Sequence, residues 1–162
     1  MLSIVDHFPN FQFIIACNNI FSREYYDSFI QDIDVKFVFN ETYGLLDNAE
    51  AALVTSGTAT LESAFLKVPQ VVCYKTNWLT YILARMMIKI QFLSLVNIIL
   101  DKDALKELIQ INLNQKNLIK ELNLILNVDQ RNNIIKYYEK IIDILNEKGA
   151  SHNAAKYIFN TI

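Results

Sequence analysis

Glycine and proline are scarce here, at three and two residues in a chain of 162. So few chain breakers leave little room for linkers or disordered stretches, and one domain over residues 1–162 is expected. Histidine is equally rare. His7 and His152 sit near opposite ends, with no Asp, Glu or Cys at ligand spacing. That argues against a metal site, and neither histidine has a Ser or Cys partner at the spacing of a local catalytic triad. Cys17 and Cys73 end two strand-like runs and form no C-x-x-C pair. They read as buried free thiols in a reducing compartment. An excess of either charge is missing too: 15 basic against 17 acidic residues give a net charge of −2. Neither a nucleic acid nor a strongly acidic partner is implied. The longest apolar run, residues 79–100, is interrupted by Arg85, Lys89, Gln91 and Asn97 and does not qualify as a membrane span. The opening MLSIVDHFPN is acidic and too short of apolar residues for a signal peptide.

What the chain does have is apolar mass, 52% of its residues, with enough length to bury about two thirds of its unfolded surface. Strand-like and helix-like segments alternate. Strands are predicted over residues 12–16, 35–39, 51–55 and 69–74, with a last short strand or extended turn over 92–96. Helices are predicted over 23–31 (Ser22 as N-cap), 42–48, 58–67 and 79–90, then over 103–110, 115–126, 129–146 and 151–162. Asn127 and Gly149 read as breaks and Ser151 as a cap. In the helix from Asp129, Ile134, Ile135, Tyr138, Ile141, Ile142 and Leu145 form one apolar stripe. The alternation predicts an α/β fold: a Rossmann-like parallel sheet of about five or six strands with a helical C-terminal extension.

The chain is organised around residues 51–74, AALVTSGTATLESAFLKVPQVVCY. Two continuous, β-branched strand runs flank a Ser56-Gly57 turn and a short helix, as expected when both faces of a parallel sheet are covered. Such a turn aims backbone N–H groups outward at the positive end of the helix dipole, which suits an anion. Leu61, Ala64, Phe65 and Val68 share the face expected to pack on the sheet. Thr58 and Glu62 lie four apart on another side, and a carboxylate there can accept two hydrogen bonds from a ribose diol. Spacing alone leaves two readings open: a nucleotide site, or an ordinary strand-turn-helix with a solvated Glu62.

The residues themselves carry more. The run from Ser56 to Glu62, then Val68-Pro69 and Tyr74-Lys75, resembles the donor-binding segment of the lipid-A-disaccharide synthases, two-domain glycosyltransferases of the GT-B type. A second match is Ser94-Leu95-Val96-Asn97, where Val96 replaces the family's usual proline and loosens the loop. The resemblance covers nearly the whole chain and about half of the family's length. The start at Met1 falls in mid-family, so a C-terminal half, one half of a GT-B fold, is expected.

The resemblance implies an inverting hexosyltransferase of lipid A biosynthesis, which moves 2,3-diacylglucosamine from UDP to 2,3-diacylglucosamine 1-phosphate. It implies donor contacts at Ser56, Gly57, Thr58, Thr60, Glu62, Tyr74, Lys75 and Asn97, with no metal and no cofactor. No catalytic residue falls in this chain, because the family's proposed catalytic Asp belongs to the N-terminal half; UDP binding without turnover is therefore expected. Two other classes remain: the donor domain of another UDP-sugar glycosyltransferase or epimerase, and a non-catalytic α/β binding domain. Lys75, Arg85 and Lys89 with Trp78 and Tyr81 make a basic, aromatic-flanked helix. It reads as a solvated face, or as a peripheral contact with the inner membrane from the cytoplasm. Ala154, Ala155, Ile158, Phe159 and Ile162 form an apolar stripe on the last helix, for which a homodimer contact is expected.

Overall fold

A computed structural model of the chain describes residues 1–30, 33–55, 57–87, 91–146 and 150–161. A 3-10 turn, Leu2–His7, opens the chain. Strand β1 (Phe13–Cys17), helix α1 (Arg23–Asp27), strand β2 (Val35–Phe39) and helix α2 (Thr42–Asp47) follow. The central stretch gives β3 (Ala52–Thr55), α3 (Ala59–Phe65) and β4 (Gln70–Tyr74), and then α4 (Trp78–Met87) and α5 (Leu95–Leu100). Strand β5 (Glu107–Ile109) runs into a 3-10 turn (Gln110–Asn112), and α6 (Gln115–Leu126), α7 (Val128–Leu145) and α8 (Ala150–Thr161) complete the chain.

The fold is α/β with parallel pairing throughout, but its strands divide into two sheets rather than one of five or six. β1 pairs with β2, Phe13 opposite Val35, and β3, β4 and β5 form a second sheet in that order. Side chains of β1 and β3 both line a cavity of ≈ 1080 Å³ between the two sheets. Alternation of strand and helix specifies connections, and nothing in FQFIIAC or AALVT says which edges hydrogen-bond. The consequence shows in β1, whose apolar run leaves Ile14 38% exposed.

Two further expectations are corrected. Residues 92–96 form no strand: Ser94 accepts a hydrogen bond from Asn97 N and caps α5, since a side-chain acceptor there satisfies one of the opening N–H groups of a helix. The helix expected over residues 103–110 is instead the approach to β5, held in register with β4 from Val72 opposite Glu107 to Tyr74 opposite Ile109. Sheet pairing overrides local helix preference there.

Around the three-stranded sheet, Val71, Val72 and Cys73 of β4 are fully buried between α3 on one side and α6 on the other, and Ile4 and Phe8 close the end. Helix α7 turns Ile134, Tyr138 and Ile141 inward, the heart of its predicted stripe, while Leu145 ends 41% exposed. The Tyr138 hydroxyl donates to Val68 O (3.0 Å) and accepts from Gln70 Nε2 (3.1 Å), which also donates to Thr60 O (2.9 Å). One buried network thus ties α7, β4 and α3 and fixes the angle at which α3 meets the sheet.

Candidate functional site

The turn between β3 and α3 explains its own sequence. Gly57 has φ +129°, a region that side chains avoid, while a Cβ there would meet no atom within 4 Å. The demand for glycine is therefore torsional and leaves the turn open to an approaching ligand. The Gly57 carbonyl accepts from Thr60 N (3.2 Å) and from Thr60 Oγ1 (2.7 Å). Thr60 is fully buried, so its hydroxyl serves the turn rather than the mouth. Thr58 is exposed at the N-cap, and its carbonyl accepts from Leu61 N and Glu62 N. Ser56 lies outside the described residues.

Glu62 is half-buried and lines the cavity between the sheets, beside Thr55, Ala59 and Ser63. Its carboxylate takes no partner among the described residues. The predicted apolar face of α3 holds for Ala64 and Val68, while Phe65 is 44% exposed. Thr60 and Ser63 are buried in its place, each hydroxyl turned back onto a backbone carbonyl of the same turn. The side-chain pattern misled because hydroxyls that bond their own backbone pack like apolar groups.

Tyr74 ends β4 and Lys75 follows it, at the same edge of the sheet as the carboxyl end of β3. Lys75 is exposed, without an ion pair among the described residues, and lines a second hollow with Thr76, Trp78, Gln110, Ile111 and Leu113. Gln110 shapes this region: Thr76 N donates to its Oε1 (3.0 Å), and its Nε2 donates to Thr76 O (3.1 Å). Lys89 of the predicted basic face lies outside the described residues.

Asn97 is fully buried and fully occupied. Its Oδ1 accepts from Ala104 N (3.0 Å) and Leu105 N (2.8 Å), and its Nδ2 donates to Leu105 O (2.9 Å) and Glu107 Oε1 (2.9 Å). These four bonds exhaust the amide. Glu107 in turn accepts from Leu93 N and Ser94 N. The Ser-Leu-x-Asn segment is therefore a latch between α5 and β5. Glu107 and Gln110 escaped the sequence reading because residues 103–110 were expected to be a helix, whose polar face needs no such partners.

The eight residues singled out in the sequence thus do not share one cavity. Glu62 lines the large cavity behind the Gly57 turn, Lys75 lines the second hollow, and Asn97 lies in the core. Burial pushes the Cys73 thiol up to about 11 and raises that of Cys17, so neither is poised as a thiolate. Among the described residues no cluster of three or more His, Cys, Asp and Glu suits a metal ion. No described helix is long and apolar enough to cross a membrane.

A family model described as lipid-A-disaccharide synthetase matches residues 2–161. The lipid-A-disaccharide synthase of Psychromonas ingrahamii is 31% identical over 160 residues, covering 87% of this chain and 42% of the relative. That of Syntrophus aciditrophicus is 35% identical over 148 residues, covering 89% and 39%. That of an Anaeromyxobacter species is 35% identical over 105 residues, covering 63% and 27%. The chain spans about two fifths of the length of the first two of these curated relatives. With nearly its whole length matched, the chain belongs to the lipid-A-disaccharide synthetase family.

Proposed function

We propose that the chain is the UDP-sugar-binding part of a lipid-A-disaccharide synthase, an inverting glycosyltransferase of GT-B type. The joined reaction moves 2,3-diacylglucosamine from UDP to 2,3-diacylglucosamine 1-phosphate. The observation that carries this reading is Glu62: a carboxylate on the first turns of α3 with no partner among the described residues, lining a cavity behind an open glycine turn. The diphosphate lies against the turn at Gly57 and Thr58. Backbone N–H groups at the start of a helix have no intrahelical acceptor and favour the negative charge that grows on departing UDP. Glu62 accepts from the ribose diol and fixes the nucleotide's orientation. The base that deprotonates the acceptor hydroxyl comes from the portion of the family that this chain does not match. Its partners are then that second domain, the cytoplasmic face of the inner membrane, and a second copy met through α8, where Tyr157, Ile158 and Phe159 are exposed.

Calorimetry with UDP and with ADP tests the reading. UDP binds selectively, and Glu62→Ala weakens it by tenfold to a hundredfold, the equivalent of about 1.5–3 kcal/mol for a hydrogen-bonded charged partner. Equal binding by wild type and variant refutes the ribose contact. The purified 162-residue chain shows no disaccharide synthesis until the remaining part of the enzyme is supplied; turnover above a blank would overturn that division of labour.

A further inference from the structure

We propose that Gln70 is a positioning residue for Glu62, holding α3 at the rotation that aims this carboxylate into the cavity between the sheets. Its role rests on that of Glu62 as the ribose contact, although Gln70 itself is fully buried in β4 and does not line the cavity.

Packing alone does not account for an amide at this place. β4 is buried from Gln70 to Cys73, and the three residues after Gln70 are apolar. The Gln70 Oε1 atom is buried and takes no hydrogen bond among the described residues, and an acceptor stranded in this way destabilises a fold. An unbranched apolar side chain of similar length would fill the space without that penalty. The other end of the amide explains it. Nε2 donates to Thr60 O (2.9 Å) and to the Tyr138 hydroxyl (3.1 Å), and the direction of both bonds is forced. Val68 O can only accept, so Tyr138 donates to it (3.0 Å) and offers Gln70 a lone pair. Thr60 O can only accept as well, and an amide turned over would set Oε1 against it. Both Nε2 protons are committed, and the orphaned Oε1 is what that arrangement leaves over.

Helix α3 needs such a hold. It is seven residues long, and its N-cap Thr58 makes no side-chain capping bond. At its C-terminal end Val68 N donates to Ser63 O (2.9 Å); in its first turn the grip of Gln70 on Thr60 O ties it to the sheet. Glu62 stands two residues beyond Thr60. The outer atoms of a helix lie about 5–6 Å from its axis, so a rotation of about 30° carries a carboxylate roughly 3 Å, the length of a hydrogen bond. Tyr138 anchors the grip on α7, 68 positions along the chain from Gln70, and so refers the direction of Glu62 to the core.

A structural amide and a positioning amide give opposite results in Gln70→Met. Calorimetry on the full chain compares UDP with 2′,3′-dideoxy-UDP, which lacks both ribose hydroxyls, so the ratio of the two affinities reports the Glu62 contact. Gln70→Met is expected to keep or raise the urea midpoint while its preference for UDP falls about fivefold or more, toward that of Glu62→Ala, and its affinity for the dideoxy nucleotide stays within about twofold of wild type. In a Glu62→Ala background Gln70→Met should bring no further loss. An unchanged preference in Gln70→Met overturns the proposal, and so do equal losses for both nucleotides with a lower urea midpoint, the mark of a general loosening. Should Gln70→Met not fold, Tyr138→Phe decides: it keeps the ring and removes one acceptor of Nε2, and a wild-type preference in that variant overturns the proposal. A preference that is absent in wild type, or that survives in Glu62→Ala, removes the ribose contact and the positioning role with it. A preference that Glu62→Ala abolishes and Gln70→Met preserves overturns the positioning role alone.

Discussion

Asn97→Ala separates a binding residue from a structural one. In the fold, the Asn97 amide satisfies Ala104 N, Leu105 N, Leu105 O and one oxygen of Glu107, and the residue is fully buried. Truncation leaves Leu105 N without its acceptor and Leu105 O without its donor in the core, while Ala104 N keeps the Lys102 carbonyl (2.8 Å). Glu107 loses one of its three donor groups and keeps Leu93 N and Ser94 N. Each orphaned buried donor or acceptor costs about 1–3 kcal/mol, so losing the partners of Leu105 N and Leu105 O costs roughly 2–6 kcal/mol. Against the ~5–15 kcal/mol that holds a typical domain together, this is a severe change. Urea unfolding should show a much lower midpoint with an unchanged slope, and the melting temperature should drop by about 2–4 °C per kcal/mol. UDP affinity, measured well below the melting point, should stay within a factor of about two. A variant that keeps its urea midpoint while losing UDP tenfold would refute the latch and return Asn97 to the donor site.

Two further outcomes are expected. Burial raises the Cys73 thiol from 9.0 to about 11 and raises the Tyr138 phenol as well. The folded chain then holds these protons more firmly than the unfolded one, so stability is full below pH 9 and falls as pH climbs toward 11; equal urea midpoints at pH 8 and pH 10.5 would contradict this. Removing α8 should shift the chain toward monomer in sedimentation, since burying Ile158 and Phe159 at a self-contact is worth about 1.5–3 kcal/mol each, and a wild-type chain that sediments as monomer at high concentration would show that no such contact forms.

Much of the fold was legible because burial leaves a pattern in sequence. β2 and α6 fall on their predicted bounds, and β3, α3 and β4 are within about two residues at each end. Their apolar runs are long and their ends carry Gly57, Thr58 or Asn114. The failures share one cause. β5 is three residues long, and its identity rests on pairing with Val72, Cys73 and Tyr74, more than 30 positions earlier; no local pattern encodes such a partner. The same distance hid Gln110, whose role depends on Thr76. The resemblance marked Asn97 for donor contact, and chemistry inferred from an amide cannot say whether its four bonds face a ligand or the backbone. The turn at Gly57 was readable because a torsional requirement acts on one residue alone.

The separation of the two sheets also divides the molecule in time. The central cluster draws on Ile4 and Phe8 and then on residues from Ala64 onward, while β1, α1, β2 and α2 bury little beyond Cys17 and Leu46. A unit with so few dry contacts opens at a lower free energy than the sheet beside it, so its amides exchange with solvent first. Yet it cannot drift away. Upstream, the opening 3-10 turn is held to α6, where Gln115 Nε2 donates to Ser3 O across 112 positions; downstream, the chain re-enters the stable sheet at β3. Opening therefore releases a loop closed at both ends, which costs less entropy to restore than a free terminus would. The wall of the cavity facing Glu62 can breathe, while the turn that positions Glu62 stays folded.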